Sequence, residues 1–180
     1  MKRHAVAVLA VAALSAGALA ACDNPKPRKV PADPMALPPP PAAPAAAPGA
    51  GMSPDLPRRS ELPGFYLDRV GQAPDPVSKQ PAATPGDQPI VISGFGFDPA
   101  KVPAKGVDVA IDGKAYGATY GAARPDVANY FKVPALAATG YSLTLPAGTL
   151  ADGPHNVTVR VIAADGTAYF ESPSVPFTVD

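Results

Sequence analysis

The sequence predicts an all-β domain, an antiparallel β-sandwich, behind a disordered Pro/Ala-rich stalk. Three observations carry that reading. From residue 89 onward, short runs of β-branched and aromatic residues alternate with polar ones, and Gly, Pro and Asp interrupt them about every 8–12 positions. No stretch keeps a helical period for more than about two turns. Residues 23–63, by contrast, hold thirteen prolines in 41 positions, with almost no aromatic or β-branched side chains.

Composition narrows the function. Of 180 residues, 26 are proline and 16 glycine. Fifteen Lys and Arg balance fifteen Asp and Glu, which argues against nucleic acid as a partner, since that needs a basic stripe to displace counterions. One cysteine excludes an intramolecular disulfide framework and any multi-cysteine metal site. Two histidines leave little material for metal or acid–base chemistry. No cofactor, metal or enzymatic activity is expected.

The amino-terminal segment reads as an address. Lys2, Arg3 and His4 precede an apolar run, Ala5 to Ala18, too short for a spanning helix of about 20 residues. A charged start, a short apolar run and small residues after it make a secretory signal peptide over residues 1–21. Leu19-Ala20-Ala21-Cys22 resembles a bacterial lipobox at all four positions. The resemblance implies diacylglycerol on the Cys22 thiol, cleavage before Cys22 and acylation of the new amino terminus. The product would be a palmitate-bearing lipoprotein of the bacterial cell envelope, anchored to a membrane through Cys22 and facing the periplasm. The inner and outer membranes both stay open. An exported chain with one cysteine directly after its apolar run has an odd thiol, and lipidation accounts for it. The other reading is an ordinary signal peptide with Cys22 left free. Removal of residues 1–21 takes Lys2, Arg3 and no acid, leaving 13 basic side chains against 15 acidic.

Residues 22–63 then form the lipidated cysteine and a proline-rich linker. Such a segment cannot bury enough apolar surface to offset its ordering entropy. In polyproline II it extends about 3.1 Å per residue, so it serves as a semi-rigid spacer. Lys26, Arg28 and Lys29 sit where they would meet anionic headgroups or simply aid solubility.

The domain is expected over residues 64–180. Phe65 to Val70, flanked by Pro63-Gly64 and Gly71, reads as its first strand. Pro89 to Phe97 reads as the next, stopped by Asp98-Pro99. Val107, Val109 and Ile111 alternate with Asp108, Ala110 and Asp112, so one face of that strand should meet the core. Asp112-Gly113 is a strong hairpin signal, and Lys114 to Tyr120 is expected as the return strand. Tyr141 to Leu145 alternates until Pro146. In His155 to Val161, Val157, Val159 and Val161 should face inward. Asp165-Gly166 turns the chain into Thr167 to Glu171. Val175 to Val179, marked by Pro173 and Pro176, is expected at a sheet edge. Pro125 suits a first helical position and Asp126 the first turn, so one or two helical turns are expected from Pro125 to about Tyr130. This order of strands and turns is that of an immunoglobulin-like antiparallel β-sandwich, without the Cys–Trp–Cys pin of antibody domains.

Gly94-Phe95-Gly96-Phe97-Asp98, the VDVAIDGKAYGATYG hairpin, RPDVANYF and the final TGYSLTLPAGTLADGPHNVTVRVIAADG together resemble a bacterial Ig-like module. The resemblance covers about 90 residues and departs at Phe95, where a Trp is expected. It implies adhesion, spacing or service to a neighbouring domain, not a ligand.

Candidate binding residues gather in the segment after Tyr120. Arg124 and Asp126 are placed either to grip a partner or to clamp each other. Tyr120, Tyr130 and Phe131, with Tyr116, either present aromatic surface to a protein or glycan or pack the segment onto the sandwich. Asp112, Asp152 and Asp165 each precede Gly and are accounted for as turn residues, without the spacing of a calcium loop. His155 has no recognisable nucleophile or orienting acid near it in sequence. The expected role is therefore an envelope lipoprotein presenting an Ig-like domain to a protein partner, for adhesion or for spacing. A carbohydrate- or peptidoglycan-binding module is the alternative.

Overall fold

Period-two patterning resolves into two packed sheets. A computed structural model describes residues 48–180; the signal peptide, Cys22 and the first part of the proposed stalk lie outside the described residues. In chain order the described strands are β1 (Arg58–Arg59), β2 (Gly64–Val70), β3 (Ala73–Pro74), β4 (Ala83–Thr84), β5 (Ile90–Asp98), β6 (Val102–Pro103), β7 (Gly106–Ile111), β8 (Lys114–Gly117), β9 (Thr119–Ala122), β10 (Gly140–Leu145), β11 (Gly153–Ile162), β12 (Tyr169–Glu171) and β13 (Val175–Val179). One helix, α1 (Pro125–Phe131), and a 3-10 turn over Pro134–Ala138 lie between β9 and β10.

One sheet runs β8-β7-β11, with β13 and β12 sharing the far side of β11; β4 and β1 add to these two in parallel. The other runs β3-β2-β5-β10-β9, with β6 on the end of β5. The first four long strands of one layer (β2, β5, β10, β9) and the opposing β7, β11 and β13 follow the immunoglobulin strand order, with β8 as the extra strand beside β7. Between the layers pack Leu67, Val70, Ile92, Val107, Val109, Leu143, Val157, Val159, Val161 and Phe177, each nearly or fully buried. The three valines of β11 face inward as their alternation requires.

Asp112 (φ 49°) and Gly113 (φ 86°) make the hairpin turn in the left-handed region that Asp and Gly tolerate. The return strand differs from expectation. It divides at Ala118: β8 stays beside β7, while β9 crosses to the other sheet and pairs with β10. The final strand is also less open than its prolines suggest, because β4 covers part of its outer side. Thr178 and Asp180 donate their N–H groups toward β4, to Ala82 and Thr84. By the period of two, Pro176 turns its nitrogen to the same side but lies short of the end of β4, where no ladder bond is lost.

The boundary at residue 64 needs the larger correction. Residues 48–59 form a strap across the outer face of the first sheet. Gly117 donates to the Gly49 carbonyl, Ser53 N–H to Asp108 Oδ2 at 2.6 Å, and Tyr169 N–H to the Pro57 carbonyl. Arg58 meets Glu171 at 3.0 Å, which Arg160 also grips at 2.7 Å. Consequently Asp108 and Ala110, which face away from the sandwich core, are as buried as Val107 and Val109 beside them. The proline-rich composition reads as stalk, yet this part is held by backbone hydrogen bonds and by ion pairs to distant acids that composition does not reveal.

Candidate functional site

The outer face of the second sheet carries its own small core. On β5, Ile90 and Ile92 point inward, so Phe95 and Phe97 point out. Phe97, Val127 of α1 and Leu136 of the following turn bury one another there. Phe131 packs edge-on against Phe97, with centroids 5.0 Å apart, and against Phe95 at 6.5 Å. Pro125 opens α1 and Asp126 lies in its first turn, as expected. Lys132 closes the helix in the left-handed region at φ 56°.

Arg124 joins helix to sheet. The register of β2 against β5 shifts between Leu67 and Arg69, leaving Asp68 as the extra residue of a β-bulge. Arg124 Nη1 donates to Asp68 Oδ2 at 2.7 Å, while Nε and Nη2 donate to the Asp126 carboxylate at 2.9 and 2.8 Å. Its guanidinium also lies over the Phe95 ring, 5.0 Å from the centroid. The hydrogen bonds with Asp126 hold the guanidinium above its ordinary pKa and the Asp126 carboxyl below its own. Arg124 and Asp126 therefore form a clamp.

Beside the clamp runs an open groove of about 410 Å³ lined by Tyr66, Phe95, Asp126, Val127 and Tyr130. Tyr66 stacks on Phe95 at 6.2 Å. Its hydroxyl donates to Asp75 Oδ1, which lowers the Asp75 pKa and raises that of Tyr66. Tyr130 stands at the rim, 80 % exposed, held edge-on against Phe131 at 4.9 Å.

Two of the candidate residues are not on this ledge's surface. Tyr120 packs against the main core; its hydroxyl donates to the Gly96 carbonyl at 2.9 Å and accepts from Ala104 N–H at 3.1 Å. Burial raises its pKa. Phe131 is the prop beneath Tyr130 rather than a contact surface. Sequence reasoning missed Tyr66, Asp68, Asp75 and Phe95. A signal existed for Phe95: an aromatic on the strand face opposite Ile90 and Ile92 needs either cover or a partner.

His155 is fully engaged elsewhere. Its Nδ1 lies 2.6 Å from Asp112 Oδ2 and its Nε2 2.7 Å from the Ala151 carbonyl. Both neighbours are acceptors, so the doubly protonated ring satisfies both, and the carboxylate above all raises the His155 pKa.

No family model and no curated protein matches the chain. Among solved structures, the chain is similar to an endo-beta-1,4-mannanase from Thermotoga petrophila, with TM-score 0.41 and 13 % identity, over 68 % of this chain and 20 % of that one. It thus spans about a fifth of the mannanase. It is also similar to CopC from Methylosinus trichosporium OB3b, with TM-score 0.36 and 18 % identity, over 64 % of this chain and 93 % of that one. Similarity at these levels carries nothing about activity or ligand. The fold rests on the sheet pairing itself: the described residues form a β-sandwich.

Proposed function

We propose that this chain is a non-enzymatic lipoprotein of the bacterial envelope, tethered through Cys22, whose sandwich presents the groove beside α1 to a protein partner. The observation that carries the reading is Tyr130: a large aromatic side chain, 80 % exposed, standing on a rigid aromatic base at the edge of a groove. Aromatic anchors of this kind dominate protein contacts. The clamp supports the reading by fixing α1 to β2, which reduces the ordering cost of binding. For the non-enzymatic part, the support is that both His155 nitrogens are occupied, leaving that ring no position from which to take a proton. For the anchor, the support is the Leu19-Ala20-Ala21-Cys22 sequence.

A glycan is the second reading, favoured by the three aromatic rings of Tyr66, Phe95 and Tyr130 along one groove. Photo-crosslinking from position 130 in intact cells tests the first. A discrete protein adduct supports it; retention on purified cell-wall sacculi, abolished by Tyr130→Ala, would replace it. Cys22→Ser is expected to abolish palmitate labelling, and persistence of label would overturn the anchor.

A further inference from the structure

Residues 48–59 lie between Cys22 and the first long strand, so any load carried from the proposed anchor to the sandwich passes through them. They cross the first sheet from one side to the other. Their attachments follow one another along the strap and fall on successive strands. Gly49 accepts from Gly117, and Ala50 bridges Tyr116, both on β8. Ser53 donates its N–H to Asp108 on β7, and its hydroxyl accepts from Arg160 of β11 at 3.4 Å. Pro57 accepts from Tyr169 and Arg58 meets Glu171, both on β12. Arg59 closes the series on Asp165 and Thr167, with its guanidinium over the Phe170 ring.

Little apolar surface holds this crossing. No side chain of residues 48–59 belongs to the core between the sheets. Beneath the strap, the sheet register sets Gly117, Asp108, Arg160 and Glu171 side by side in one row. The charges in that row are matched unevenly. Glu171 is held by two guanidiniums, those of Arg58 and Arg160. Arg160 stands opposite Asp108 in register, yet it turns to Glu171 and Ser53. Asp108 Oδ1 is left with no hydrogen-bond partner among the described residues. A buried acceptor without a partner costs free energy. Lifting the strap returns Asp108 to water and leaves Glu171 its bond to Arg160. A segment with few apolar contacts and exposed ion pairs opens more readily than the ladders around a core.

Resting on the reading of Cys22 as the anchor, we infer that the strap is a releasable length of tether. Under tension between Cys22 and the domain it peels from Gly49 toward Arg59 while the sandwich stays closed, and it settles back when the tension falls. Attachments on successive strands take the load one at a time. The load next arrives at β2 and β13, each held by a ladder of paired residues. Each is also held by buried side chains, Leu67 and Val70 on β2, Phe177 and Val179 on β13. The twelve residues 48–59 span about 40 Å when extended, against roughly 15 Å for crossing four strands, so release adds about 25 Å of reach.

The test pulls the mature chain, residues 22–180, along that path. Cys22 is the sole cysteine, so its thiol takes one DNA handle and a carboxy-terminal tag takes the other. In optical tweezers, extension is expected in two stages. A reversible step of about 25 Å comes first at low force, and the sandwich unfolds at a force several-fold higher. Arg58→Ala, at an exposed side chain, is expected to shift the balance about threefold toward the open strap. Ser60→Cys in a Cys22→Ser background moves the handle past the strap, and the first step is expected to vanish while the second remains. A single rip that releases strap and sandwich together, or a first step that survives with the handle at position 60, would overturn the inference. Two-stage extension without palmitate on Cys22 in cells would remove the anchor, and the tether with it. Palmitate on Cys22 with a single rip would remove the release alone.

Discussion

Arg124 donates from Nη1 to Asp68 Oδ2 at 2.7 Å, so the residue that precedes α1 is tied to the bulge of β2, 56 positions earlier in the chain. The same guanidinium grips Asp126 with its other nitrogens, and only 19 % of its side chain is exposed. One side chain thus sets the position of the helix and of the groove beside it.

Replacing that side chain should cost stability before it costs binding. Arg124→Ala removes two ion pairs and a cation–π contact, an expected loss of about 2 kcal/mol after allowing for solvent screening of the half-exposed Asp68 and Asp126. In a domain of this size that lowers the Tm by roughly 5–10 °C. Arg124→Lys should fall between, because an ammonium lacks the planar fork that reaches both carboxylates. Thermal unfolding followed by circular dichroism checks both. An unchanged Tm would show that Arg124 is a ligand contact instead of a clamp.

What could be read from the sequence divides along the distance over which residues act. Val157, Val159 and Val161 were legible because alternation is local, and α1 because Pro125 and Asp126 sit next to each other at its start. Half of the ledge was legible for the same reason: Arg124, Asp126 and Tyr130 lie in one short run. Asp68, Tyr66, Asp75 and Phe95 come from elsewhere, and only the sheet register brings them near. The split at Ala118 left no mark because β8 and β9 continue one pattern while belonging to different layers. The strap was hidden for a different reason. Three of its hydrogen bonds use backbone groups of Gly49, Ser53 and Pro57, which every composition shares, and its arginines find their acids, Glu171 and Asp165, more than a hundred positions away.

The strap makes its own prediction. Gly51 lies against β7, and a Cβ there would stand 2.7 Å from Asp108 Oδ2 and 2.8 Å from the Ala115 Cβ. Asp108 is wholly buried and its Oδ1 has no hydrogen-bond partner, so the bond from Ser53 is the one that satisfies this carboxylate. Gly51→Ala should lift the strap from the sheet. Amide exchange at Ser53 and at Tyr169 is expected to rise about tenfold or more, while exchange in β5 and β10 stays unchanged. Equal exchange in wild type and variant would mean the strap is not held through this contact.

The His155–Asp112 pair should make stability depend on pH. The folded pKa of His155 is raised above its ordinary 6.5, chiefly by the Asp112 carboxylate and then by the Ala151 carbonyl. Its contribution is therefore complete below the unfolded value and is lost as pH rises through the folded one. The Asp112 pKa is lowered, chiefly by His155, so its contribution is present above the ordinary carboxylate value and lost as pH falls through the folded one. The pair is at full strength between those limits, in mildly acidic solution. Wild type should exceed His155→Gln in Tm near pH 5.5, and the gap should narrow steadily by pH 9. A gap that widened with pH would contradict the protonated ring.

Gly94 and Tyr141 give the sharpest steric test. Tyr141 is buried, its hydroxyl donates to the Tyr66 carbonyl at 3.2 Å, and burial pushes its pKa up. A Cβ at Gly94 would lie 2.0 Å from that carbonyl oxygen and 2.8 Å from the Tyr141 hydroxyl. The first contact is with backbone in the middle of the β2–β5 ladder, which cannot yield without breaking pairing. Gly94→Ala should therefore cost about 3 kcal/mol or more, and Tyr141→Phe alone about 1 kcal/mol from its lost hydrogen bond. Combining them should not restore stability, because removing the hydroxyl relieves only the second contact. Urea unfolding of the two single variants and the double variant measures this. Recovery in the double variant would show that the hydroxyl, and not the strand backbone, is what requires glycine at position 94.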